Sequence, residues 1–142
     1  MKKKKILVTV VCLLVLLSSI VALSATYNYS LICFANQHVQ SGYQNVAYDS
    51  FMPTKYQAVN MVFDGNSVIS TGKYDVGIRL YDSETATLGT IVDYDTVGVT
   101  STSQNLDDMY YYNLNGNTRY KAYIYGYSGV HIIMNKATVN YN

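Results

Sequence analysis

The chain has 142 residues, with ten Lys and Arg against nine Asp and Glu, one proline, no tryptophan and sixteen tyrosines. Four of the basic groups, Lys2 to Lys5, sit at the start, so residues 26–142 hold six basic against nine acidic groups, a net charge of −3. No basic cluster remains there to grip a phosphate backbone, which excludes nucleic acid as an expected partner.

Residues 1–25 read as a secretory signal peptide: the cationic Lys2–Lys5, an apolar run from Ile6 to Leu17, then the small residues of VALSA. Cleavage after Ser24 puts Ala22 and Ser24 at the two small-residue positions; cleavage after Ala25 puts Leu23 at the outer one, a poorer fit. The competing reading is an uncleaved membrane anchor, because Ile6 to Leu23 reaches the ~18 residues that can cross a bilayer. The expected location is extracellular, with association with the cell wall. Residues 26–142 are expected to form one domain with one modest core. Cys12 leaves with the signal, so Cys33, inside the apolar YSLICF, is expected to be an unpaired buried thiol, with an intermolecular disulfide as the alternative.

Beyond the signal, period-2 alternation recurs and helical periodicity is nearly absent. YNYSLICF (27–34) is a strand candidate, followed by a polar turn around Ser41-Gly42. NVAYDSF suggests a short strand, ended by Pro53, which cannot donate to a ladder. KYQAVNMVF (55–63) is a strand that the Asp64-Gly65 turn signal closes, and SVIS is a short strand after it. In KYDVGIRLYD (73–82), Tyr74, Val76, Ile78 and Leu80 point one way and Asp75, Gly77, Arg79 and Tyr81 the other. LGTIVDYDTVGVTS (88–101) reads as one long strand or two bent ones, with a bulge at Gly98.

Asn115-Gly116, between two alternating runs, predicts a tight hairpin over 109–127 with Leu114 opposite Asn117. That register puts Tyr111 opposite Tyr120 and Met109 opposite Ala122 on the core face, with Ile124 beyond them. It puts Tyr110, Tyr112, Arg119, Lys121, Tyr123, Tyr125 and Tyr127 on the solvent face. Ser128-Gly129 then turns into a last strand, VHIIMNKATVNY. Seven to nine short strands and no helix predict an antiparallel β-sandwich, with a small β-barrel as the alternative. The layout of leader, Tyr- and Thr-rich strands and C-terminal Gly-Tyr hairpin resembles small secreted β-sandwich modules of Gram-positive bacteria. The likeness is one of style and assigns no role to any residue.

Candidate chemistry is sparse. His38 and His131 are far apart and in no metal-binding spacing, and no local signature pairs Cys33 with a histidine as a nucleophile. Asp93 and Asp95 project on one strand face, and Asp107 and Asp108 follow in a loop. These four are weak calcium candidates, read otherwise as a solvated edge; no other cofactor is expected. The tyrosine row, with Arg119 and Lys121, is the candidate contact surface for a glycan, a cell-wall polymer or a protein. A non-enzymatic binding module is therefore the first reading. A secreted hydrolase using the paired carboxylates and a small toxin or bacteriocin-like effector are the alternatives.

Overall fold

We describe a computed structural model of the chain over residues 27–142, apart from the side chains of Tyr110, Tyr112 and Asn113. The expected signal peptide, residues 1–25, and the side-chain placements expected for Tyr110 and Tyr112 fall outside that description. The strands are β1 (Tyr29–Gln40), β2 (Gln44–Val46), β3 (Gln57–Phe63), β4 (Asn66–Ser70), β5 (Gly72–Asp82), β6 (Thr87–Val99), β7 (Met109–Leu114), β8 (Tyr120–Gly126) and β9 (His131–Tyr141). No helix occurs among the described residues. The strands form two antiparallel sheets. Sheet A has the order β1-β9-β3-β7, with β4 also paired to β9, and sheet B has the order β2-β8-β5-β6. The arrangement is sandwich-like and not a closed barrel.

The alternation of β5 decides its faces as expected. Tyr74, Val76 and Ile78 are wholly buried in the core between the sheets, while Arg79 and Tyr81 lie on the outer face. Tyr111 and Leu114 of β7 and Tyr120 and Ile124 of β8 join the same core. Each large apolar side chain so buried contributes about 1.5–3 kcal/mol.

The hairpin predicted at Asn115-Gly116 does not form. β7 pairs with β3, with Tyr111 opposite Val59. β8 pairs with β5 and β2, with Tyr120 opposite Leu80 and Ile124 opposite Val76. The chain between them passes from one sheet to the other. Asn117 N–H donates to Pro53 O at 2.7 Å, and Asn115 N–H donates to the Tyr120 hydroxyl at 2.8 Å. Gly116 lies against backbone: a Cβ there would come 2.6 Å from Lys55 Cα. The turn chemistry serves this docking onto residues 53–55, with the positive φ at Asn117. Tyr111 and Tyr120 still face the core, from opposite layers and not as neighbours in one sheet.

Asp64-Gly65 is also no hairpin turn. β3 and β4 run in line along β9, with Phe63 opposite Ala137 and Asn66 opposite Met134. Asp64 N–H donates to Lys136 O, and Asn135 N–H to Gly65 O, so the ladder continues through a kink. The inward set shifts there from Val59, Met61 and Phe63 to Val68, and in β9 from Ala137 and Val139 to Ile132 and Met134. A one-residue phase change keeps both halves facing the core. β1 likewise runs on through NQHVQ, where Val39 is fully buried, and the chain turns only at Ser41-Gly42. β6 is one strand. Its irregularities fall opposite Ile78–Tyr81, whereas Gly98 pairs regularly with Lys73.

Candidate functional site

The outer face of sheet B carries most of the predicted row. Cross-strand register sets its layers: Tyr125, Asp75 and Thr96; then Tyr123, Gly77 and Tyr94; then Lys121, Arg79 and Ile91. Opposed residues of an antiparallel pair share a face, so these nine positions make one surface.

Tyr123 departs from expectation. It lies on the outer face but is only 2% exposed. Its ring lies over Gly77, where an added Cβ would sit 2.8 Å from Tyr123 Cε1, and the Arg79 guanidinium stands 6.0 Å from the ring centroid. Alternation puts Gly77 on the outward side of β5, and its missing side chain is what lets a ring lie flat across the strand. The Tyr123 hydroxyl is buried with no partner among the described residues. Burial first, then the nearby Asp75, pushes its pKa up to about 12.

Asp75 is the buried carboxylate of this face, 8% exposed. It accepts hydrogen bonds from Thr96 Oγ1 at 2.6 Å and from the Tyr127 hydroxyl at 2.7 Å. No basic side chain forms an ion pair with it among the described residues. The bond to Asp75 holds the Tyr127 proton above the usual pKa of 10. Tyr127 also meets Tyr125 edge to face, with centroids 5.1 Å apart. Beside this cluster stands Tyr94, 51% exposed, with Ile91 and Leu88 exposed further along β6.

The two cations of the row serve structural contacts. Lys121 Nζ donates to Tyr48 O at 2.6 Å and stands 4.4 Å from the Tyr81 ring centroid. Arg119 donates to Ser50 Oγ at 3.2 Å and lines a pocket of about 260 Å³ with Tyr29, Phe51, Met52 and Tyr141. The rings of this face left open are therefore those of Tyr94, Tyr125 and Tyr127, away from Arg119 and Lys121. The signal that could have pointed there is the Tyr94–Gly77–Tyr123 layer, readable only once β5 is known to be flanked by β6 and β8.

Asp93 and Asp95 lie opposite Ile78 and Val76, on the inward side of β6 at the open edge of sheet B. Inward-pointing charge at an edge discourages pairing with another chain. Asp107 and Asp108 are exposed in the loop before β7. No group of three or more His, Cys, Asp or Glu suited to a metal ion occurs among the described residues. Cys33 is buried and free, and burial pushes its thiol up to about 12. The structure does bring His38 and His131 together, on adjacent strands with rings 5.5 Å apart.

Comparison with protein-family models, curated proteins and solved structures returned no match.

Proposed function

We propose that the protein is an exported, non-enzymatic binding module that grips a glycan or wall polymer with the outer face of sheet B. The observation that carries this reading is the Asp75 cluster. Among the described residues, a buried carboxylate is held by hydroxyls alone, beside a Tyr123 hydroxyl with no partner and the exposed Tyr94 ring. A carboxylate retains acceptor capacity after two hydrogen bonds. Sugar hydroxyls meet the rim of this cluster at the exposed Tyr94 and Tyr127, and a planar ring stacks on the apolar face of a sugar. Asp75, Tyr94, Thr96 and Tyr123 sit on strands and Tyr127 directly follows one, so little side-chain order is lost on contact. The leader-like residues 1–25 support export.

The test is retention on purified cell wall and on a glycan array, comparing wild type with Tyr94→Ala and Asp75→Asn. The expected result is capture by wild type and loss of about fivefold or more in affinity for Tyr94→Ala, corresponding to about 1 kcal/mol of ring contact. Tyr94→Ala should leave the melting temperature nearly unchanged, since the ring is half exposed. Equal retention of all three proteins removes the reading. Capture of a protein in place of a polysaccharide replaces it with the protein-partner alternative.

A further inference from the structure

We propose that His38 and His131 form a surface zinc site, with Gln40 supplying an oxygen. His131 faces Gln40 directly across β1 and β9, and His38 is the diagonal neighbour on the same outer face of sheet A. The backs of these strands, Val39 and Ile132, are wholly buried, so the histidine positions are fixed by the core beneath them. His38 is tied further by Asn45, whose amide donates to His38 O at 2.9 Å.

His38 Nδ1 lies 3.3 Å from His131 Nε2. Zinc–nitrogen bonds of about 2.0–2.1 Å at a tetrahedral angle put two ligating nitrogens about 3.3–3.4 Å apart. The spacing therefore suits one shared ion. Each ring needs to swing its lone pair about 35° off the nitrogen–nitrogen line to aim at that ion, a change the broad second torsion of histidine allows, with His38 exposed and His131 half-buried.

A second observation points the same way. Gln40 Nε2 also lies 3.3 Å from His131 Nε2. An imidazole nitrogen has one lone pair or one proton, so it cannot serve two nitrogen neighbours well. Turning the Gln40 amide over brings its oxygen to the same place, and a cation among two imidazole nitrogens and one amide oxygen satisfies all three. The remaining position is open to water or to a donor from another molecule, as the exposure of His38 allows.

The experiment is calorimetric titration of the purified untagged chain with zinc sulfate, alongside His38→Ala, His131→Ala and the control Asp107→Asn/Asp108→Asn. Circular dichroism confirms that each variant is folded. The expected result is one zinc per chain, more than about tenfold weaker binding in either histidine variant, and no change in the acidic control. Zinc should also raise the melting temperature of wild type and not of His131→Ala. Absence of wild-type binding, binding that survives either histidine change, or loss confined to the acidic control overturns the proposal.

Discussion

Gly77→Ala tests the packing of the outer face most directly. In an ordinary strand this change is favourable by about 0.5–1 kcal/mol, because glycine loses more backbone freedom on folding. Here the new methyl would lie 2.6 Å from Tyr94 Cβ and 2.8 Å from Tyr123 Cε1, and it would also press on the Asp93 carbonyl. The tyrosine ring can give way. The carbonyl cannot move without disturbing the β5–β6 ladder, where Gly77 faces Tyr94. Overpacking of this kind costs about 1–3 kcal/mol and outweighs the entropic gain, leaving a net loss of about 1–2 kcal/mol. For a domain of this size that is roughly 4–8 °C in Tm. Urea denaturation of Gly77→Ala, Tyr123→Ala and the double variant measures both the loss and its coupling. The double variant should be more stable than the sum of single losses predicts, by about 0.5 kcal/mol or more, because the ring no longer meets the methyl. A neutral or stabilising Gly77→Ala would refute the account of how Tyr123 is seated.

Tyr120→Ala should lose about 3–5 kcal/mol, since the ring is buried and its hydroxyl holds the Asn115 N–H; chemical denaturation reads this directly. Tyr123→Phe should be neutral or mildly stabilising in the same assay, because it removes a buried hydroxyl without a protein partner. The folded-state pKa values of Cys33 and Tyr123 are both raised to about 12, from 9.0 and 10.0. Their contribution is therefore intact below pH 9 and lost as pH rises toward 12, where the unfolded chain gives up those protons first; a pH series of melting curves should fall across that window. Thiol reagents should label Cys33 only after unfolding, and rapid labelling of the native chain would contradict its burial. Asp64 has its pKa lowered by Lys136, a contribution present at neutral pH and lost as pH falls below about 3.8; Asp64→Asn should remove that small acid dependence, seen as converging melting curves at low pH.

Local pattern made the faces legible. The alternation in β5 separated Tyr74, Val76 and Ile78 from Arg79 and Tyr81, and the same parity put Tyr111, Tyr120 and Ile124 inward. Parity survives because the core constrains each strand separately. Pairing partners were not legible, because an Asn-Gly pair has the same local chemistry whether it closes a hairpin or docks on a distant backbone. Only the Asn117–Pro53 and Gly116–Lys55 contacts decide between them. The same limit hid the functional candidates. His38 and His131 are 93 residues apart in sequence, and Tyr123 is exposed or covered according to what stands opposite it. Parity set its face; the glycine across the strand set its burial.

The position of β9 has a consequence for how the molecule is made. It is the last strand in sequence, yet it lies inside sheet A and pairs with β1, β3 and β4. Nothing that emerges earlier can stand in for it, so β1 and the β3–β4 run must wait, unpaired on that side, until residues 131–141 arrive. Contacts of such long sequence separation make folding slow and leave strand edges open meanwhile. Sheet B needs none of these pairings, so its four strands can order first and sheet A is the layer that closes last.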